Sequence, residues 1–271
     1  MKYSGHLHKM HVTLDQPVRY QLQLQDDVIE LHQALGKQIQ LQWLNEIHCI
    51  HCGRETRKSF SQGYCYPCFR ALAQCDICIV SPEKCHYDQG SCREPEWARE
   101  HCMQDHVIYL SNTSGVKVGI TRHSQIPTRW IDQGAVQALA ILRVSSRYHA
   151  GLVEVAFKQY LNDKTNWRNM LKDIYSEEDL LQTFLEIWPK VKPILDVGLL
   201  EDVEVIAEKE HQIEIQYPAL QYAQKVTSYN LDKNPSISDT LTAIKGQYLI
   251  FKNGVINIRK YAGYAVSLEI L

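Results

Sequence analysis

Nine cysteines constrain this chain more than anything else in it. Cys49, Cys52, Cys65, Cys68, Cys75, Cys78, Cys85, Cys92 and Cys102 all lie between positions 49 and 102, and the rest of the 271 residues contain none. Three spacings are CxxC: Cys49 with Cys52, Cys65 with Cys68, and Cys75 with Cys78. A CxxC turn puts two thiolates on one side of a metal ion, and a second turn completes the sulfur tetrahedron that zinc prefers. The stretch from Gly53 to Tyr64 that separates the first two pairs is polar and carries Ser59, Ser61 and Gly63, which marks a loop or hairpin. Cys65 and Cys68 then open a short helical stretch. A knuckle followed by a pair at a helix start is the layout of a treble-clef or ribbon finger. Cys49, Cys52, Cys65 and Cys68 are therefore expected to hold one structural zinc ion.

A second zinc ion is expected from the remaining cysteines. Cys75 and Cys78 supply one half of its shell. Cys85, Cys92, Cys102, His86, His101 and His106 compete for the other half, with Cys92 and Cys102 preferred and His106 the best substitute. Four thiolates leave no coordination position for water, so both ions are assigned a folding role. A redox use of CxxC would need a thioredoxin-like βαβ context, which this sequence lacks.

Nothing outside the cysteine run contradicts a reduced compartment. No apolar run approaches the ~20 residues of a spanning helix. The first ten residues are polar, include His6 and His8, and lack the apolar region of a secretory signal. A cytoplasmic location with no membrane contact is expected, where disulfides are rare and metal binding is the natural use of clustered thiols. The formal net charge is −2, so any nucleic-acid contact must come from a local patch.

The flanking sequence reads as α+β, with β-rich N- and C-terminal parts on either side of the zinc module and a small α/β domain. In residues 1–47, the runs from His11, Arg19 and Gln38 alternate apolar and polar residues, as half-buried strands do. The cysteine module occupies 48–106. In 107–172, strands from Val107 and Val116 face each other across Asn112-Thr-Ser-Gly115. A short helix follows at Thr128, then a strand over 135–144 and an amphipathic helix over 150–162. In 173–271, Ser176-Glu-Glu-Asp179 is a capping-type start for a helix that Pro189 or Pro193 ends, and further strands follow, with Asn253-Gly254 as a hairpin turn. The N- and C-terminal strands are expected to build β structure together.

Residues 107–169 carry an ordered set of polar groups: Tyr109 in Val107-Ile-Tyr109, Lys117 in Lys117-Val-Gly119, Arg129 on the short helix, Glu154 on the amphipathic helix, and Asn166 beyond it, with Asn169 as alternate. In that order and spacing the segment resembles the GIY-YIG nuclease superfamily. The whole chain also resembles a bacterial family described only as a domain of unknown function.

The GIY-YIG resemblance implies a metal-dependent endonuclease site. Tyr109 would help to deprotonate the attacking water, Arg129 would offset charge on the phosphate, and Glu154 would hold one Mg²⁺ or Mn²⁺. Lys117 stands where the second motif has tyrosine, and Val107 where the first has glycine. Three readings follow. The protein is a structure-specific endonuclease acting on DNA or RNA, or a catalytically inactive DNA- or RNA-binding module, or a zinc-stabilised adaptor for a protein partner.

Overall fold

Residue alternation translates directly into buried and exposed faces. In the strand Arg19–Leu24 the buried side chains are Tyr20, Leu22 and Leu24, and in the strand Gln38–Ile47 they include Ile39, Leu41 and Ile47. The computed structural model describes residues 1–161 and 164–271. The fold is α+β, with antiparallel sheets and short helices. The chain divides into two units, Met1–Arg70 with Leu171–Asp173 and Ile215–Leu271, and Ala71–Met170 with Ile174–Glu214.

The first unit is built on a six-stranded antiparallel sheet. Its order is Lys2–His6, Tyr264–Ile270, Gln38–Ile47, Ser236–Lys245, Tyr248–Phe251 and Val255–Asn257. The N- and C-terminal strands therefore do share a sheet, with Ser4 opposite Ser267 and Leu41 opposite Leu268. A separate three-stranded sheet joins His11–Thr13, Arg19–Leu24 and Asp27–Glu30. Lys245 ends its strand fully buried, with Nζ 2.5 Å from Asp173 Oδ1 and facing the rings of Tyr217 and Tyr222.

The second unit is organised around the hairpin His106–Asn112 and Val116–Arg122. The strand Gln137–Val144 pairs with the outer edge of His106–Asn112. The helix Arg147–Phe157 buries Ala150, Val153, Ala156 and Phe157 on this sheet. The helix Leu180–Val191 adds Leu180, Phe184, Ile187 and Val191 to the same core. Asn162, where the first of these helices was expected to end, lies outside the described residues.

Of the expected capping segment Ser176-Glu-Glu-Asp179, Asp179 is the cap of the second helix, its carboxylate accepting from the N–H groups of Leu181 and Gln182. Pro189, expected as a terminator, lies inside that helix. It stands in the last turn, so the single backbone hydrogen bond it removes leaves the preceding turns intact. Among the described residues, no helix is long and apolar enough to cross a membrane.

One core group ties the stability of this unit to pH. His106 is fully buried; its Nδ1 donates to the Gln104 carbonyl at 2.7 Å, and its Nε2 has no hydrogen-bond partner among the described residues. Burial, reinforced by the Arg147 and Arg122 charges and opposed by the Gln104 carbonyl and Asp105, pushes its pKa down to about 4. Between about 4 and the ordinary value of about 6.5, the unfolded chain takes a proton that the folded chain refuses. Stability must therefore fall as pH drops through that window, by at most about 3 kcal/mol. Urea midpoints at pH 7.5 and pH 5 measure this, and His106→Asn should flatten the difference.

Candidate functional site

The long strand Gln38–Ile47 delivers the chain into the first cysteine pair. The Cys49 carbonyl accepts from Gly53 N–H at 2.9 Å, and Cys49 N–H donates to the Arg54 carbonyl at 2.8 Å, which closes a knuckle. Gly53 has φ +70°, a conformation open to glycine. Phe60 and Tyr64 then bridge a tight hairpin, which brings Cys65 and Cys68 to the start of the helix Tyr66–Ala71. The four sulfurs of Cys49, Cys52, Cys65 and Cys68 all lie within 4.8 Å of one another, with Cys52 and Cys65 at 3.8 Å.

A tetrahedral zinc with bonds of about 2.3 Å sets its sulfurs about 3.8 Å apart. The tetrad can thus hold zinc without rearrangement. Its electrostatics suit a cation too. Burial opposes ionising Cys49, but the N–H groups of Cys52, Cys65 and His51 point at its sulfur and pull its pKa below the usual thiol range. Cys68 is pushed up, first by burial and then by its three cysteine neighbours, a repulsion that a bound cation relieves.

The tetrad is anchored to the six-stranded sheet. His48 N–H donates to the Gly263 carbonyl at 2.7 Å, and Gly263 N–H donates to the Leu7 carbonyl at 2.8 Å. A Cβ at Gly263 would strike the His48 carbonyl oxygen, so only glycine permits this approach.

Beside the tetrad is a cleft of about 610 Å³. Its walls combine the N-terminal segment, the loop between the two cysteine pairs and the C-terminal turn. His6, His8, Lys9, His11 and Arg259 line it with Tyr64, and no carboxylate is among its lining residues. His6 Nε2 lies 2.8 Å from His48 Nδ1. Burial first, then the neighbouring imidazole His48, lowers the pKa of His6; burial and His11 do the same to His8. These two rings are therefore neutral at pH 7, which leaves Lys9 and Arg259 as the fixed charges. Sequence reading missed this site, because its members come from opposite ends of the chain and no spacing rule links them.

In the second unit, Tyr109 lies within electrostatic reach of both Arg129 and Glu154. The Tyr109 hydroxyl donates to Gln133 Oε1 at 3.0 Å, is hydrogen-bonded by Arg129, and feels the charge of Glu154. Gly119 faces Tyr109 across the hairpin, and a Cβ there would lie 2.6 Å from the tyrosine oxygen, so the ring occupies the space a side chain would need. Tyr109 is fully buried, and burial raises its pKa despite Arg129. Glu154 is mostly covered, with Oε2 3.1 Å from Lys158 Nζ. Lys117 is buried opposite Ser111. Asn166 is exposed and caps the helix Trp167–Leu171, its side-chain oxygen accepting from Asn169 N–H at 3.2 Å.

The later cysteines gather elsewhere in the second unit. Cys78, Cys85, Cys92 and Cys102 line one small cavity of about 20 Å³. Cys75, expected as a ligand, is buried at the end of the 3₁₀ turn Ala73–Cys75 and is not part of the cavity wall, whereas Cys85 is.

No curated protein and no solved structure matches this chain. Residues 36–266 match the family described as "Protein of unknown function (DUF2797)", and the chain, matched over most of its length, belongs to that family.

Proposed function

We propose that this protein binds nucleic acid through the cationic cleft beside the cysteine tetrad, with zinc in the tetrad holding one wall of the cleft in place. One observation carries this reading: a cleft of about 610 Å³ gathers three imidazoles, an ammonium and a guanidinium with no carboxylate in its walls. Phosphate oxygens need such donors, and Tyr64 gives an aromatic face for a base. The net charge of −2 makes the local concentration of basic groups the more telling.

The GIY-YIG-like segment then serves as a binding or scaffolding module. Its tyrosine is sealed from solvent, its hydroxyl is engaged by Gln133 and Arg129, and its pKa moves away from that of a base. The endonuclease reading draws support from the nearness of Tyr109 to Arg129 and Glu154, with Mg²⁺ or Mn²⁺ at Glu154. It requires an opening that exposes Tyr109.

Fluorescence anisotropy with labelled single-stranded and duplex DNA and RNA tests the proposal. Binding should weaken with salt along a straight log–log line, and Lys9→Ala with Arg259→Ala should reduce the slope by about 0.7–0.9 for each phosphate that is no longer neutralised. Absence of binding at low salt, or an unchanged slope in the double variant, would overturn it. If Mg²⁺ or Mn²⁺ gives cleavage that Glu154→Ala abolishes, the endonuclease reading replaces the inactive module.

A further inference from the structure

The cavity of the second unit brings together four cysteines in the pattern Cys78-x6-Cys85-x6-Cys92-x9-Cys102. Yet they do not draw together as the first tetrad does. Among the described residues, the sets of three or more ligand atoms that close to within 4.8 Å are the first tetrad and a trio of Asp76, Cys78 and His86. The four cysteines line a small cavity together with Asp76, His86, Arg93 and Trp97. Zinc sets its sulfurs about 3.8 Å apart, and no three of these four sulfurs come within 4.8 Å of one another.

We infer that Cys78, Cys85, Cys92 and Cys102 ligate an iron–sulfur cluster, in place of the second zinc ion that the CxxC spacing suggests. A cluster places several iron and sulfide atoms between its cysteines and so separates them more widely than one ion does. The surroundings agree with this. Ile79, Trp97 and Ala98 shield the cavity, and Trp97 stacks on His101 at 4.2 Å. The half-buried Arg147 donates from Nη2 to the carbonyl of Ile79, a residue of the cavity wall, at 2.7 Å, and so brings a cation to offset the negative charge of a thiolate-bound cluster. The lining chain has little regular structure of its own, three 3₁₀ turns and the helix Pro95–His101, and a cluster would supply the core it lacks.

The mononuclear competitor, Asp76 with Cys78 and His86, is already a hydrogen-bonded network. Arg93 Nε lies 2.6 Å from Asp76 Oδ2, His86 Nε2 lies 3.5 Å from Oδ1, and His86 Nδ1 lies 2.8 Å from Ser91 Oγ.

Metal analysis of the full-length protein decides between them. Prepared without oxygen and reconstituted with iron and sulfide, the chain should carry one zinc ion, plus iron and acid-labile sulfide in equal amounts of about two to four per chain. Cys85→Ser should strip iron and sulfide and leave the zinc, whereas Cys75→Ser should leave both. Two zinc ions and no iron after reconstitution would overturn the inference, as would full iron retention in Cys85→Ser. Should Cys85→Ser fail to fold, the iron and sulfide content of the unaltered chain still decides the question.

Discussion

Cys65→Ser should cost the protein its zinc and the order of residues 48–71 together. The expected loss is large because structural zinc contributes roughly 10 kcal/mol or more of apparent binding free energy to small modules. The segment has little else to hold it. Its helix Tyr66–Ala71 buries none of its side chains, and its other supports include a knuckle, one tight hairpin, the ring contacts of Phe60 with Tyr66 and Phe69, and the anchor of His48 to Gly263. A serine hydroxyl cannot replace a thiolate, and the remaining three sulfurs would repel one another. Zinc content per chain and limited proteolysis between Arg54 and Arg70 measure the outcome. A variant that carries no zinc in the tetrad and still resists the protease would show that the cysteines pack as ordinary apolar residues. The cleft borders on this segment, so the same variant should also lose nucleic-acid binding.

Asp173→Asn should destabilise the protein by about 3 kcal/mol, because it leaves Lys245 charged and unpaired in the interior. Lys245 is fully buried, and Asp173 faces it at 2.5 Å with about a third of its own side chain exposed. That exposure sets the expectation at the low end of the range for breaking a buried pair. Asparagine is the informative replacement because Asp173 has φ +58°, a conformation asparagine tolerates and alanine does not. Burial already lowers the Lys245 pKa against the pull of Asp173, so losing the carboxylate should drive it lower still. Adding Lys245→Met should recover most of the loss, since methionine fills the space between Tyr217 and Tyr222 with no charge to solvate. Urea unfolding of Asp173→Asn, Lys245→Met and the double variant measures the coupling. Strict additivity would mean that the pair contributes nothing as a pair.

Local patterns were legible in the sequence, and long-range assembly was not. Two CxxC pairs around a glycine-bearing loop specify a four-sulfur site, because the geometry is set within a few residues of each cysteine. The strands of the first unit were legible because alternation is a local consequence of burying one face. The hairpin carrying Tyr109 and Lys117 was legible for the same reason. Its burial was not: whether Tyr109 meets solvent depends on Trp130, Gln133 and Arg129, which arrive from a different element. That Cys85 and not Cys75 lines the small cavity of the second unit depends on how three 3₁₀ turns fold back on one another, and such turns leave no periodic trace. Of the two prolines read as terminators, Pro193 lies just past the helix and Pro189 in its last turn, and the two positions look alike in sequence.

The strand Tyr264–Ile270 lies between Lys2–His6 and Gln38–Ile47, and the other edge of Gln38–Ile47 is covered by Ser236–Lys245. Made from its N-terminus onward, the chain exposes Gln38–Ile47 with both edges unpaired until nearly all of it has left the ribosome. The second unit lies between these strands in the sequence, so it can form while the first still waits for its closing strands. A translation arrest or a truncation near the end of the chain would therefore leave an open, sticky sheet, the kind of intermediate on which chaperones act.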